Sequence, residues 1–595
     1  MSTNETKHKK TKLLSKIAWV IVILVSIVSC IKFIYEPDIW WQIRTGNWIL
    51  ENGQVPKIDM LSYTYFGDPW INVKWGAEVI MAFINNTLGA ELLPFLQIFC
   101  LLSIVFLVTK IHHYFTNKTF GTSIKTNRIG IVSSILLMLL IVNFRLNSRP
   151  EMFSHLFTIV SLFIILKHKN SNWIFLLIPL QIIWTNTHEA YGIGMVIMLL
   201  FLVSLWSEYL FFNKKYGFGI NYKPIKYSFA TISSILAVSI NPHGFKMITH
   251  PLNILGQLSE NKYTEELISF RMDGYWKYQS ILVIFISIIL IAKLLKKENS
   301  TTPLLFRSFQ KIGTGYSILL VGFLYLSLTS FRNIPFFIFI TTPILATILF
   351  SFETKKKNTT PIYLGLIGIS IFFYFSITTN TFYKKLSPQE NYGLGIDTEN
   401  NPIGSAKFIN DNNIKGKGFV DYLSSSYFMY ADTSFKSFID LRDLDVFDVT
   451  FFNYVFSTYQ MPEVLNNSKN NGKSFWQYLD EIDNFNYIVI LNSPEFQNMN
   501  RFFLHRNNKY KLVYADNLNS IYLKNSTKNQ ELIKKYGFEN VGKNVFHSMT
   551  ITKTNNLAIA ITSIFKPTYK TKKPITNQEF LEQQQKYFWY MKVKF

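Results

Sequence analysis

The stretch EPDIWWQIRTGNWILENGQVP, residues 36–56, follows directly on a long apolar run. That run, Ile17–Tyr35, is long enough to cross the roughly 30 Å of bilayer hydrocarbon as a helix. It contains Lys32 near one end, where a lysine side chain can extend to the membrane interface. No small-residue cleavage site follows the run, so we expect a retained span rather than a signal peptide. The quoted stretch therefore starts where the chain leaves a membrane, and it carries an acid at Asp38.

The composition of the 595-residue chain indicates a membrane portion joined to a sizeable soluble one. Hydrophobic residue types make up 49% and charged types 16% of the chain, against roughly 25% charged residues in soluble domains. The net charge of +23 is explained by lysines in the loops on one side of a membrane. No basic motif with a groove-reading context occurs, so we expect no nucleic-acid partner. Cys30 and Cys100 lie in apolar runs and offer neither a disulfide framework nor a zinc spacing.

About eleven apolar segments are predicted to be spans. They are Ile17–Tyr35, Leu92–Tyr114, Ile129–Phe144, Met152–Leu166, Trp173–Thr187, Ile193–Phe212, Tyr227–Ile240, Ser280–Leu295, Tyr316–Ser330, Ile334–Phe350 and Pro361–Thr379. The loops between them alternate in charge. One set is rich in lysine, as in ETKKKN at residues 353–358, and the other carries most acids, histidines and tryptophans. The positive-inside rule then places the N-terminus in the cytoplasm and the chain after Asn380 outside.

The composition changes near residue 381, where the chain becomes rich in Asn, Asp, Ser and Tyr. We predict short strands in KGFVDY, SFKSFIDL, NYIVIL, YKLVYA and NSIYLK. Helices are predicted at Gly404–Asn412 and Phe475–Asp483, and a terminal helix in NQEFLEQQQKYFWYM at residues 577–591. The fold class is thus a polytopic α-helical membrane domain at residues 1–380, with its first outer loop at residues 36–91, and an extracytoplasmic α+β domain at residues 381–595.

Polar residues gather at the outer ends of the predicted spans. The segments are NFRLNSRPE (143–151), WTNTHEAYG (184–192), SINPHGF (239–245) and SFRNIPF (330–336). Ionisable groups at membrane depth are unfavourable, so a cluster of them indicates a site. Arginine binds phosphate through two parallel hydrogen bonds, and a carboxylate can take a proton from a hydroxyl. A phosphate leaving group and a base are the minimal equipment for glycosyl transfer from a lipid-linked sugar.

The same segments carry a resemblance. DIWW, TGNWILENGQVPKIDMLSYTYFGDPW and WGAEVIMAFINNTLG resemble the first loop of the GT-C superfamily of polytopic glycosyltransferases. Within it, the chain is similar to protein O-mannosyltransferases and to bacterial aminoarabinose transferases that modify lipid A. It is nearest to a bacterial branch with a D-x-W-W-x-x-x-T-G signature and no assigned substrate. The resemblance covers roughly residues 15–350, and FIDLRD (438–443) resembles a D-x-R element in the outer domain of that branch.

This resemblance implies a polyprenyl-phosphate sugar donor, inversion at the anomeric carbon and a catalytic acid in the first outer loop, which Asp38 matches. The acceptor would be an extracytoplasmic glycan, lipid or protein. No cofactor is expected. Related oligosaccharyltransferases hold a divalent metal with paired acids, so a metal between Glu36 and Asp38 is the alternative. Taken alone, Asp38 also fits a cap of the helix that starts near Ile39.

Five residues are candidate contacts to the donor phosphate: Arg149, Arg145, His188, Arg332 and His243. Arg149, before Pro150 and Glu151, is the preferred one. The alternative for the arginines is extension to lipid head groups. For the histidines it is a structural hydrogen bond or a loop bend. His188 and Glu189 lack the second histidine of the H-E-x-x-H zinc motif.

Four residues are candidate acceptor-binding or supporting groups: Glu78, Glu189, Trp40 and Trp41. Glu78 could orient Lys74 or form a structural ion pair. Glu189 departs from the branch, which usually has a small residue after the histidine. The tryptophans, with Trp48, fit an interfacial aromatic belt.

The interpretation that accounts for most of these features is a glycosyltransferase in a bacterial inner membrane, with Asp38 as general base. The bacterial assignment rests on the abundance of Asn, Lys and Ile. A transporter or flippase of lipid-linked glycans is the first alternative. It predicts charged residues deep within spans and broken helices in corresponding halves, whereas the ionisable residues here gather on one face. A non-catalytic envelope scaffold, the second alternative, would make no use of the polar ring.

Overall fold

The structure is a computed structural model. It describes residues 3–120, 128–212, 222–260, 277–294, 312–353, 359–386, 390–464, 472–493, 496–537, 549–551 and 569–571. Residues 3–386 are mostly helical. The helices are α1 (Thr3–Cys30), α2 (Asp38–Asn52), α3 (Trp75–Leu88), α4 (Leu93–Phe120), α5 (Ile129–Val142), α6 (Glu151–His168), α7 (Leu177–Thr185), α8 (Tyr191–Ser207), α9 (Ile225–Ala237), α10 (Lys246–Glu260), α11 (Lys277–Leu294), α12 (Thr314–Thr329), α13 (Ile334–Glu353), α14 (Thr360–Thr378) and α15 (Thr381–Leu386).

Six helices of the described chain are long and apolar enough to cross a membrane. They span Lys9–Cys30, Ala90–Thr119, Glu151–His168, Tyr191–Phe211, Phe331–Phe350 and Thr360–Thr378. The protein is therefore an integral membrane protein. The other five predicted spans coincide with shorter helices, namely α5, α7, α9, α11 and α12.

The bundle is arranged around α13. The apolar stretch Phe331–Phe350 is 89% buried inside the protein, and α4, α5, α6 and α12 pack against it. A helix that is hydrophobic all round belongs in such a central position. The first and last long helices, α1 and α14, also pack side by side. Their outer ends are therefore neighbours, which brings the chain after each of them together.

The first span ends earlier than predicted. Helix α1 stops at Cys30, and the next residues are extended: Lys32 pairs with Tyr392 and Ile34 with Ile396 in isolated β-bridges. We call residues 31–36 together with residues 390–397 the strap. Lys32 is 4% exposed and its ammonium lies 2.9 Å from Glu390 Oε1, so the expectation that it extends to the interface is wrong. A buried carboxylate supplied by the outer part replaces the lipid head groups.

Residues 390–537 form an α+β outer part. Its central sheet has the order β1-β2-β4-β3, with β1 (Gly418–Val420) parallel to β2 (Tyr487–Leu491), while β4 (Asn519–Lys524) is antiparallel to both β2 and β3 (Tyr510–Ala515). The flanking helices are α16 (Ile403–Asp411), α17 (Ser425–Ala431), α18 (Val449–Gln460), α19 (Phe475–Asp483), α20 (Gln497–His505) and α21 (Gln530–Tyr536). Helix α19 starts with a capping box between Ser474 and Gln477, the arrangement that satisfies two backbone donors at a helix start.

Four of the five predicted strands are present, and both internal helices lie within two residues of the prediction. SFKSFIDL is the exception. It stays outside the sheet because Ser437 bridges to Ser62 of the first outer loop. The predicted terminal helix lies outside the described residues. Beyond Tyr536, the short strands β5 (Met549–Ile551) and β6 (Tyr569–Thr571) pair with each other.

The outer part and the first outer loop share one apolar core. Ile39, Trp40 and Ile43 of α2 pack in the same cluster as the sheet residues of the outer part. Helix α17 lies against α2, and α2 lies against α3. The start of α2, where Asp38 lies, is therefore fixed from both sides.

Candidate active site

Asp38 is the first residue of α2, directly after Pro37. Pro37 occupies the N-cap position, so Asp38 is the first helical residue and not the cap that the sequence also suggested. The Trp41 indole Nε1 donates to Asp38 Oδ1 at 3.1 Å. An acid in the first turn is favoured by the helix dipole, but its oxygens stay available for contacts outside the helix.

The two tryptophans after Asp38 are interior residues. Trp40 is fully buried, donates to Asn401 Oδ1 at 2.6 Å and packs edge-on against Tyr427. Trp41 is also buried and packs against Trp70. The prediction of a lipid-facing aromatic belt is therefore wrong for both, because the outer part covers them. They support the start of α2 from within the protein.

Glu189 links two cations from distant segments. Its Oε2 lies 3.3 Å from Lys74 Nζ, and its Oε1 accepts a hydrogen bond of 2.7 Å from Arg332 Nη2. Lys74 precedes α3, and Arg332 lies in a short 3₁₀ turn before α13. The Lys74 ammonium also lies 3.8 Å from Asp445 Oδ2 and 5.6 Å above the Trp41 ring. Three outer loops and one residue of the outer part thus meet at Lys74.

The charges of this cluster stabilise one another. Burial alone would lower the pKa of Lys74, but the carboxylates of Glu189 and Asp445 outweigh it and raise the pKa. Burial would raise the pKa of Glu189, but Lys74 and Arg332 hold it well below its usual range. Both groups are therefore charged at neutral pH. An opposite charge within about 4–6 Å has this effect.

A second cluster lies beside the first. The buried Arg145 pairs with the buried Glu151, and Glu151 Oε1 lies 3.9 Å from Arg332 Nε and 3.7 Å from His155 Nε2. Arg149 pairs with Glu36. Both arginines therefore have protein carboxylates as partners, and the alternative of extension to lipid head groups is wrong for them. Glu36 thus has a cationic partner in the protein.

The outer part contributes two acids near Asp38. Asp443 accepts a hydrogen bond from the Tyr422 hydroxyl, and Asp445 faces Lys74. Burial, followed by the charges of Asp38 and Asp445, raises the pKa of Asp443 well above its ordinary value. Burial also raises the pKa of Asp445, to about 6. Asp443, whose carboxyl interacts electrostatically with Asp38, thus holds its proton more strongly than usual.

Arg442 holds this acidic turn in place. Its guanidinium donates to Asp440 at 2.8 and 2.7 Å and to Asp59 Oδ1 at 2.5 Å. All three side chains are fully buried. The Asp440–Arg442 ion pair lies within the D-x-R element, and Arg442 extends it to Asp59 in the first outer loop. We call these three residues the clasp.

The two histidines of the predicted ring are uncharged. His188 is buried and its Nδ1 lies 2.8 Å from Ser154 Oγ. Burial lowers the pKa of His188 to about 3 and that of His243 to about 4. The His243 backbone N–H donates to Asn241 Oδ1 at 2.9 Å within a tight turn. These contacts agree with the structural hydrogen bond and the loop bend.

Glu78 is fully buried and accepts a hydrogen bond of 2.6 Å from Asn72 Nδ2. The ion pair considered with Lys74 is not made, since the ammonium of Lys74 contacts Glu189 and Asp445. The second carboxyl oxygen of Glu78, Oε1, has no hydrogen-bond partner in the described chain. Burial raises the pKa of Glu78 to about 8, so the side chain is mostly protonated at neutral pH.

The structure thus brings together Asp38, Glu189 and Arg332 of the sequence-predicted set, and it adds Lys74, Asp443 and Asp445. Lys74 received only a supporting mention from the sequence. The acids at 443 and 445 follow directly on the D-x-R element, and that spacing is the signal that could have indicated them. Chemically, the site offers one carboxylate for proton transfer and two cations for an oxyanion.

These features define a polytopic membrane protein with an outer α+β part that closes over a charged site at the helix ends. No protein-family model matches the chain, and no curated protein matches it either. Solved structures, however, match the chain in fold. The apo oligosaccharyltransferase of Archaeoglobus fulgidus aligns with a TM-score of 0.51 at 10% identity, over 92% of this chain and 81% of that one. The complex of that protein with Zn and sulfate gives a TM-score of 0.51 at 11% identity, over 85% and 73%.

At this identity the likeness concerns the fold. The chain resembles the archaeal oligosaccharyltransferase in its fold. The alignment extends over most of this chain, so the outer part as well as the helical bundle falls within it.

Proposed function

We propose that this protein is a GT-C-type membrane glycosyltransferase. It moves a sugar from a polyprenyl-phosphate-linked donor to an extracytoplasmic acceptor, with inversion and with Asp38 as general base. One observation carries the proposal: four distant segments bring Lys74, Glu189, Arg332 and Asp445 to the side of the bundle where α2 begins with Asp38. The fold likeness to an oligosaccharyltransferase supports it.

The reaction needs two kinds of group. The acceptor oxygen or nitrogen forms a bond to the anomeric carbon, and its proton passes to the Asp38 carboxylate. The bond between the anomeric carbon and the phosphate oxygen breaks, and its electron pair stays on the phosphate. Cations placed where that charge develops lower the barrier. Lys74 and Arg332 are the two cations that meet at Glu189, and their side chains are 17% and 27% exposed.

The remaining residues have supporting roles in this proposal. Arg145 and Arg149 would reach the donor phosphate only by leaving Glu151 and Glu36. His188 and His243 are uncharged and would offer hydrogen bonds rather than charge. Glu78, Trp40 and Trp41 are interior groups that hold the first outer loop. No cofactor takes part, and a metal between Glu36 and Asp38 stays the alternative.

The proposed setting follows from loop charge. We place the protein in a bacterial inner membrane, with the N-terminus in the cytoplasm and the outer domain, residues 381–595, outside. That domain covers the site and helps to select a glycan, lipid or protein acceptor. The pKa of Asp443, raised by burial, favours its protonated form and so limits the negative charge next to Asp38 when a phosphate approaches.

The test uses Asp38→Asn in cells that depend on the protein. General-base catalysis contributes roughly 100- to 10,000-fold, so we expect glycan modification to fall by at least two orders of magnitude at an unchanged protein level. Mass spectrometry of surface glycans and carrier lipids measures the loss, together with accumulation of a lipid-linked monosaccharide. Asp68→Asn, an exposed acid in the same loop, is the matched control. Full modification by Asp38→Asn would contradict the proposal.

A further inference from the structure

Glu189 occupies the position between two cations that an anionic ligand would need. Each of its carboxylate oxygens faces a different cation, Lys74 on one side and Arg332 on the other. Two oxygens of a phosphate group could bridge the same pair in the same way, since guanidinium groups and ammonium groups bind carboxylate and phosphate alike. A ligand oxyanion and the Glu189 carboxylate therefore compete for the same donors.

The backbone around Glu189 is anchored while its side chain is accessible. Its neighbour His188 is buried and bonded to Ser154, and the Ala190 N–H donates to His188 Nδ1 at 3.2 Å. The Glu189 side chain is 15% exposed. Replacement of this carboxylate by a ligand would therefore involve a side chain on an anchored backbone.

Glu151, the other acid near Arg332, differs in each of these respects. It is 6% exposed and bound to its own partner Arg145, and it lies 3.9 Å from Arg332 Nε, against 2.7 Å for the Glu189 contact. Its withdrawal would leave a buried charge without a partner, which is strongly unfavourable. Of the two acids, Glu189 is the one that a ligand can replace.

We propose that Glu189 is a built-in competitor for an oxyanion site formed by Lys74 and Arg332. The carboxylate holds the two cations in position and lowers their affinity for phosphate-type ligands until such a ligand takes its place. Glu189 is thus a specificity-determining residue that weakens the binding of all but strongly anionic ligands. This inference rests on the proposed function for its biological meaning, but the site can be tested without the transfer reaction.

The test measures binding of inorganic pyrophosphate to the purified full-length protein by isothermal titration calorimetry at low salt. Glu189→Gln removes the competitor and should tighten binding at least about tenfold. Lys74→Gln should have little effect in the wild-type background, because Glu189 already engages that ammonium. In the Glu189→Gln background, Lys74→Gln should abolish most of the gain. This non-additivity is the signature of direct competition.

Two controls keep the test decisive. Glu463→Gln removes the partner of Arg506 in an exposed ion pair of the outer part, and it should leave pyrophosphate binding unchanged. Glu189→Asp keeps the charge but shortens the side chain, so it reports on a folded protein even if Glu189→Gln is unstable, and it should give partial tightening. Additive effects of the Glu189 and Lys74 substitutions, or no pyrophosphate binding by Glu189→Gln, would overturn the inference. A negative result here leaves the Asp38→Asn outcome unaffected, and the reverse also holds.

Discussion

At the scale of single residues, the site depends on carboxylates that differ in their surroundings. Glu189 is paired with two cations and is held charged, whereas Glu78 forms no ion pair, and its burial outweighs the charges of Lys74 and Arg442 and raises its pKa. The two glutamates therefore differ in protonation state at neutral pH although both lie near Lys74. Neutral Glu78 is a hydrogen-bonded, uncharged side chain packed between α2 and α3. It does not add another charge next to Lys74.

Glu78 gives the protein a defined dependence of stability on pH. Its pKa in the folded protein is about 8, against an ordinary value of 4.5. Between these values the unfolded chain has released the proton and the folded chain still holds it, so the free energy of unfolding falls as pH rises. The slope is at most about 1.4 kcal/mol per pH unit. Glu78→Gln should therefore raise the melting temperature increasingly from pH 5 to pH 8.

Thermal unfolding of the purified protein, followed by tryptophan fluorescence from pH 5 to pH 9, measures this difference. Glu463→Gln in the outer part serves as control and should follow the wild-type curve. Parallel curves for the wild type and Glu78→Gln would show that Glu78 is ionised in the fold.

The sequence was informative about some site residues and not about others. Asp38 and Arg332 could be predicted as site residues because each lies at the outer end of an apolar run. Ionisable groups are energetically unfavourable at such positions unless they have a function. Lys74 could not be predicted, because its importance arises from contacts with Glu189 and Asp445, which are remote in sequence. Trp40 and Trp41 were misassigned for the same reason: a tryptophan covered by a distant domain has the same local pattern as one facing lipid.

At the scale of elements, close approach of backbones fixes the geometry of the site. A Cβ atom at Gly76, in the first turn of α3, would lie 2.5 Å from the carbonyl oxygen of Asn186. The Gly76 N–H donates to that same oxygen at 2.8 Å. This contact sets the distance between Lys74, two residues earlier, and Glu189, three residues after Asn186. A glycine is required at position 76 because the opposing atom belongs to the backbone, which cannot move aside as a flexible side chain can.

Gly76→Ala should therefore separate the start of α3 from the turn after α7. Overpacking of this kind costs about 1–3 kcal/mol, and we expect a lower melting temperature together with a loss of transfer activity. Gly322→Ala is the control, because a Cβ atom there would have no neighbour within 4 Å and alanine favours a helix interior. If both variants melt like the wild type, the close approach at Gly76 is not a constraint.

Element boundaries show what local patterns could and could not predict. Every predicted span overlaps a helix because apolar content alone signals burial, in lipid or in protein. The end of α1 was misplaced because Phe33 and Ile34 are apolar but belong to the strap, where they pair with residues 391–396. SFKSFIDL has strand-like residues, yet its partner is the first outer loop. In both cases the partner is remote in sequence, and periodicity carries no information about it.

At the scale of the whole molecule, the proposed orientation makes opposite ends of the bundle accessible from opposite sides. Lys407 in the outer part is 60% exposed, and Lys110 near the inner end of α4 is also exposed. The native Cys30 and Cys100 are buried. In intact cells, a membrane-impermeant maleimide should label Lys407→Cys and should label Lys110→Cys only after the membrane is disrupted. The unsubstituted chain gives the background, and the reverse pattern would overturn the orientation.

The clasp has a consequence for how the protein is made. Asp59 and Arg442 are separated by 383 positions, so at about 5–20 residues per second the ribosome needs roughly 20–80 s to supply the partner. In the proposed orientation, the first outer loop has by then crossed the membrane, and its acid Asp59, which is buried in the native protein, still lacks its cationic partner. Lys32 likewise has no buried carboxylate partner until Glu390 has been synthesised. The first outer loop is therefore among the first segments to be synthesised but becomes native only after Arg442 has been made, and the nascent bundle must be kept from aggregating until then.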